Sequence, residues 1–264
     1  MLSKLLKYEN KATGRIFLPL FLALLMFAGI TRFISVLSPE KWSTPAAISM
    51  AIYIIIMVGM FVMTCIMMIQ RFYRNLLSDE GYLMLTLPVE PWKHIVTKLL
   101  VSMLWIVASG IAALISILII ALQKGDLTRI IVESAAFFRQ VYERLGTSVY
   151  LYSIEIILGI FISLASAILI VYASIAIGHL FNQHKMLASF GAFILLNTIS
   201  QILFLLFTSG IANFSNIHVS PNDFFGMQLV IQQAIAYGIV FTGLLCAAYF
   251  AVTNYILSQR LNLE

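Results

Sequence analysis

Hydrophobic and polar positions alternate along this chain on a coarse scale, with long apolar runs separated by short polar stretches. A hydrocarbon core about 30 Å thick is crossed by a helix of about 20 apolar residues. Six segments meet that length, at about residues 16–37, 46–70, 99–122, 149–177, 186–209 and 228–256. The pattern predicts an all-α integral membrane protein with six transmembrane helices in a single transmembrane domain over residues 1–264. The first run is too long for a signal peptide and has no small-residue cleavage site before Arg32, so this span is expected to be retained.

Two flanking segments follow a helical period without being apolar enough to cross a membrane. In MLSKLLKYENKATGR, residues 1–15, Leu2, Leu5 and Leu6 share a face while Lys4, Lys7 and Lys11 form a basic surface suited to an anionic leaflet. This predicts an amphipathic elbow helix lying on the membrane ahead of the first span. Within residues 123–148, Leu127, Ile130, Ile131, Ser134, Phe137, Phe138, Val141 and Leu145 recur at three-and-four spacing, and Arg139 and Glu143 stand at i,i+4. This predicts an amphipathic helix on the outer face, serving either to cover the ends of the spans or as a lid over a ligand.

Composition sharpens the class. The chain is 61% hydrophobic and only 10% charged, against about a quarter charged in soluble domains. No soluble-type segment exceeds roughly 30 residues, which leaves no room for a separate catalytic domain. The net charge of +5 marks topology rather than a nucleic-acid partner, because Lys and Arg that flank spans stay on the cytoplasmic side. With the N-terminus inside, that side holds Lys4, Lys7, Lys11, Arg15, Arg71, Arg74, Lys93, Lys98, Lys185 and Arg260, ten of the sixteen basic residues. Both termini and the loop 71–98 are therefore expected in the cytoplasm. Cys65 and Cys246 fall inside apolar runs and read as small buried hydrophobes.

The loop RFYRNLLSDEGYLMLTLPVEPWKHIVTKLL concentrates charge that the chain uses sparingly elsewhere. Ser78 is placed to cap a short helix, Asp79 and Glu80 fall in its first turn where negative charge suits the dipole, and Pro88 stops it. Tyr82, Leu83, Leu85 and Leu87 would be its apolar knobs, inside a collar of Arg71, Arg74, Asp79, Glu80 and Lys93. Apolar anchors within a polar rim have the anatomy of a docking site. An idle interfacial helix is the alternative.

Four stretches give the chain a family resemblance: the basic opening LLKYENKATGRIFLPL, the loop FYRNLLSDEGYLMLTLPVEPWKHIVTKLL, the turn IGHLFNQHK and the close YILSQRLNLE. Together they resemble the membrane subunits of ABC-2 type exporters, particularly the short six-span permeases of Gram-positive bacteria. The resemblance implies a permease in the bacterial cytoplasmic membrane, with the 71–98 loop as a coupling helix docked in a groove of a separate ATP-binding subunit. Asp79, Glu80, Gly81, Tyr82, Leu83, Leu85 and Pro88 would then carry the mechanical contact, with a second contact on the turn from His179 to Lys185. It further implies two copies of the ATPase, which would hold the ATP and Mg, and a second permease subunit, identical or paralogous. A re-entrant hairpin at 210–227 fits the family, but the polar residues there do not demand one.

Candidate chemistry within the chain is sparse. It contains no GxxxxGK[ST] phosphate loop, so no cofactor is expected on this chain and it is not expected to be an enzyme. His179 and His184 miss metalloprotease spacing, and no metal site is expected. Glu155, the one acid inside a span, is either a group that handles substrate or protons or a solvated, hydrogen-bonded carboxylate. Asn197, Gln201, Gln232 and Gln233 either line a pathway or bond helices together. Gly159, Ser163 and Ser166 form a stripe for close helix contact.

The expected function is export of an amphipathic or hydrophobic substrate, such as a peptide antibiotic, drug or lipid-like molecule, in the manner of antibiotic-resistance exporters. The alternative is a non-transporting immunity or scaffold protein that binds a toxin or partner.

Overall fold

A computed structural model describes residues 2–37, 44–77, 90–122, 126–181, 183–214 and 224–259. Among them all regular structure is helical: α1 (Leu2–Leu37), α2 (Thr44–Leu77), α3 (Pro91–Ala121), α4 (Asp126–Leu145), α5 (Ser148–Gly178), α6 (Lys185–Phe214) and α7 (Phe224–Gln259). Six of these, all except α4, are long and apolar enough to cross a membrane. Ile55, Leu195, Leu205 and Leu206 are each more than half exposed. Such apolar surface is at home against lipid chains and not against water. The chain has the character of an integral membrane protein, and its spans fall where the hydropathy pattern puts them.

The helices overrun the apolar segments. At 1.5 Å per residue the 34 residues of α2 extend about 50 Å, well beyond a hydrocarbon layer of about 30 Å. Residues 2–15 are helical, as their periodicity predicts, but continue unbroken into the first span as part of α1. No helix boundary sets an elbow apart. Pro19 sits inside α1, where it withdraws one backbone donor without ending the helix. The segment at 126–145 is the helix that its three-and-four spacing predicts.

The chain divides into two compact units, residues 1–72 with 93–140, and residues 73–92 with 141–264. In the first, α1, α2 and α3 share an apolar core. Leu24 and Ala28 meet Tyr53, Met60, Ala112 and Ala113, and Phe17, Met67, Val101 and Trp105 extend it. Hydroxyl groups stitch these helices together. The Tyr53 and Ser116 hydroxyls lie 2.8 Å apart, those of Thr64 and Ser109 3.1 Å apart, and Thr31 donates to the Ser49 carbonyl at 3.3 Å. Low polarity around such bonds leaves no water to compete for them. The order of the pairs makes α2 and α3 antiparallel.

In the second unit α5 packs on both α6 and α7. Gly159 of the small-residue stripe faces Ile239 of α7, Ser166 is buried, and Ser163 is exposed. Phe204 and Phe207 of α6 pack against Phe241 of α7 as tilted ring pairs, at 5.5 and 5.1 Å between centroids. The hydroxyls of Ser200 and Tyr249 join the same two helices. Both cysteines are free thiols, and Cys65 stands on an exposed face of α2 instead of in the interior. A helix in lipid is apolar on its outward face too, so an apolar neighbourhood in sequence does not distinguish core from surface.

Candidate functional site

Of the loop residues expected to carry docking, Asp79, Glu80, Gly81, Tyr82, Leu83, Leu85 and Pro88 lie outside the described residues. The two ends of that loop are described. On the leading side, Tyr73 meets His179 edge to face, with ring centroids 5.7 Å apart and the planes at 77°. On the trailing side, Trp92 Nε1 donates to Glu90 Oε2 at 2.8 Å. The first contact joins, within one unit, the stem of the loop and the turn that sequence reading treated as separate candidates.

That turn is tightly built. The backbone N–H of His179 donates to the Ile175 carbonyl at 3.0 Å and ends α5. His184 adopts a φ of 59°, a left-handed conformation uncommon for a residue with a side chain. Lys185 then opens α6, its carbonyl accepting the Ser189 hydroxyl at 2.9 Å. The two helices come so close that a methyl group on Gly178 would stand 2.0 Å from Ser189 Oγ and 2.5 Å from the Ser189 backbone nitrogen. Only a residue without a side chain lets α6 return along α5 here.

The first unit holds a polar cluster that the sequence reading missed. Glu9 of α1 accepts hydrogen bonds from Arg71 Nη1 of α2 at 2.7 Å and from the ammonium of Lys98 of α3. Glu9 and Lys98 are buried, and His94, one turn before Lys98, is buried as well. Among the described residues of this unit, the buried atoms Asn10 Oδ1, Arg71 Nε, His94 Nε2 and Trp105 Nε1 have no hydrogen-bond partner. Thr13, Phe17, Thr64, Met67, Arg71 and Trp105 surround a cavity of about 20 Å³ here. A signal was present, since Glu9 is the lone acid in the first 39 residues, set among Lys4, Lys7, Lys11 and Arg15.

The five polar candidates within the spans all belong to the second unit. Glu155 is half-buried on α5, and its Oε2 is buried without a hydrogen-bond partner. Asn197 and Gln232 are half-buried, while Gln201 and Gln233 are exposed. Near the start of α5, Tyr152 donates to the Gln228 carbonyl of α7 at 2.9 Å. Beside that bond lies a cavity of about 380 Å³, walled by Val141 and Leu145 of α4, Val149, Tyr152, Ser153 and Ile156 of α5, and Gln228, Ile231 and Ile235 of α7. Its size falls within the usual range for small-molecule sites, about 300–1,000 Å³.

No family model, no curated protein and no solved structure matches this chain.

Proposed function

We propose that this protein is the membrane-spanning subunit of an ATP-driven exporter of the ABC-2 type. It works in the bacterial cytoplasmic membrane with both termini in the cytoplasm. Two ATP-binding subunits supply the ATP and Mg, and a second permease subunit, identical or paralogous, faces this one across the pathway. The observation that carries the reading is the Tyr73–His179 contact. It brings the stem of the 78–89 loop against the α5–α6 turn, which supports a single composite surface for one partner instead of two scattered loops.

In this mechanism, nucleotide binding closes the ATPase pair and moves its docking grooves. Each groove carries the segment containing Asp79, Glu80, Gly81, Tyr82, Leu83, Leu85 and Pro88. That segment lies in the sequence between α2 and α3, so its displacement would pass to both helices as a rigid-body shift. The cluster of Glu9, Arg71 and Lys98 ties α1 to the same two helices, which supports their moving as one piece. The cargo is amphipathic or hydrophobic. Asn197, Gln201, Gln232, Gln233 and Glu155 supply the polar positions of the route.

Co-purification tests the reading. Tagged protein extracted in mild detergent brings down an ATP-binding subunit, and the change Tyr82→Ala with Leu83→Asp abolishes recovery while the permease stays inserted. Recovery that ignores the double change overturns it.

A further inference from the structure

Helix α1 presents two different faces. On one, Glu9, Thr13, Phe17, Leu24 and Ala28 are buried. On the other, Lys4, Lys7, Lys11, Arg15, Leu18 and Leu22 follow one another at steps of three or four residues, the spacing that lines side chains up along a helix. All six are exposed, Leu18 and Leu22 at 64 and 61%.

The exposed row changes character once. Its first four members are cations, and its last two are aliphatic side chains of the apolar segment that begins at Ile16. Helix α1 passes through the change without a break. Glu9, the one acid nearby in sequence, is turned away and engaged by Arg71 and Lys98. None of the four cations makes an ion pair among the described residues. The bonds to Glu9 also hold this stretch beside the end of α2 and the beginning of α3, so it stands along the bundle instead of lying across the membrane as an elbow.

A phospholipid has the complementary order, a phosphate above aliphatic chains. We propose that this face of α1 binds an anionic phospholipid, with the phosphate between Lys11 and Arg15 and the chains along Leu18 and Leu22. Geometry selects these two cations from the four. At 1.5 Å per residue, Lys11 stands about 6 Å beyond Arg15, Lys7 about 12 Å and Lys4 about 17 Å. The headgroup layer is about 5–8 Å deep on each side of the hydrocarbon core. Arg15 and Lys11 therefore fall within it, and Lys7 and Lys4 pass beyond it. A zwitterionic headgroup would set its own cation against Lys11, which disfavours it. The proposal depends on neither transport nor a partner subunit.

The test titrates purified full-length protein in detergent with phosphatidylglycerol or phosphatidylcholine and counts bound lipid by native mass spectrometry. Tighter binding of phosphatidylglycerol is expected. Lys11→Gln with Arg15→Gln should weaken it about thirtyfold, roughly fivefold for each cation near an anionic headgroup. Lys4→Gln with Lys7→Gln should change it by about twofold or less, because these charges stand more than a Debye length of about 8 Å from the phosphate. Lys11→Arg with Arg15→Lys, which keeps both charges, should retain the lipid. Glycerol phosphate, which has the anionic group without chains, should not displace it at equal concentration. Equal binding of the two lipids overturns the proposal. So does a loss in the Lys11 and Arg15 variant no greater than in the Lys4 and Lys7 variant, or displacement by glycerol phosphate.

Discussion

The carboxylate of Glu9 accepts a hydrogen bond from Arg71 Nη1 at 2.7 Å, across 62 positions of sequence, and shares its other oxygen with the Lys98 ammonium. One acid near the start of α1 thereby holds the end of α2 and the beginning of α3. Truncating one member of a buried ionic cluster leaves its partners charged and unpaired, at about 3–5 kcal/mol. Arg71 keeps some access to water, so Glu9→Gln is expected near the lower end, about 3 kcal/mol. Thermal unfolding in detergent should show this as a clear drop in transition temperature. Adding Lys98→Met removes one of the two cations that faced the carboxylate and should recover part of the loss. An unchanged transition in the single variant would mean that the cluster does not stabilise the fold.

Gly178 and Gly159 make a matched pair of tests. A methyl group at Gly178 would collide with the backbone of Ser189, whereas one at Gly159 would touch the Ile239 side chain at an ordinary 3.5 Å. Gly178→Ala should be destabilising by at least about 1–3 kcal/mol, the range for overpacking. Gly159→Ala should stay within about 1 kcal/mol of wild type. Monodispersity after extraction and thermal stability of the two variants distinguish them. Equal behaviour would contradict the close approach of α5 and α6.

His184 is expected to accept Gly with no loss, because its φ of 59° suits a residue without Cβ. A branched side chain is penalised in that region by about 1–2 kcal/mol, so His184→Val should lower the transition temperature where His184→Gly does not. The reverse order would show that the turn does not adopt the left-handed conformation.

The hydroxyls of Tyr53 and Ser116 lie 2.8 Å apart between α2 and α3. A double-mutant cycle with Tyr53→Phe and Ser116→Ala should return a coupling of about 0.6 kcal/mol, the average for such bonds inside membranes. A coupling of zero would assign both hydroxyls to independent roles.

The spans were legible because a bilayer demands about 20 apolar residues regardless of what packs beside them. Their overrun was less visible: α1 reaches back to Leu2 without a break, with Glu9 holding that stretch to Arg71 and Lys98, and pairing across 62 and 89 positions leaves no local periodicity. Helix α4 was legible from its spacing alone. The small-residue stripe marked α5 as a contact face, but the tighter position, Gly178, depends on where Ser189 lands after the turn. Glu155 stood out as an intramembrane acid, and only the structure shows that one of its oxygens is buried without a hydrogen-bond partner. Tyr73 gave no signal, since an aromatic residue at the end of a span is ordinary.

The most direct measurement of the central claim places a benzophenone amino acid at Tyr82 in the native membrane, with a second at Phe137 of α4 as a control, followed by photolysis and mass spectrometry of the adducts. The account predicts a covalent product from position 82 with a protein that carries a GxxxxGK[ST] phosphate loop, and no such product from position 137. Adducts from position 82 only to lipid or to proteins without that loop, while the control labels normally, would contradict it.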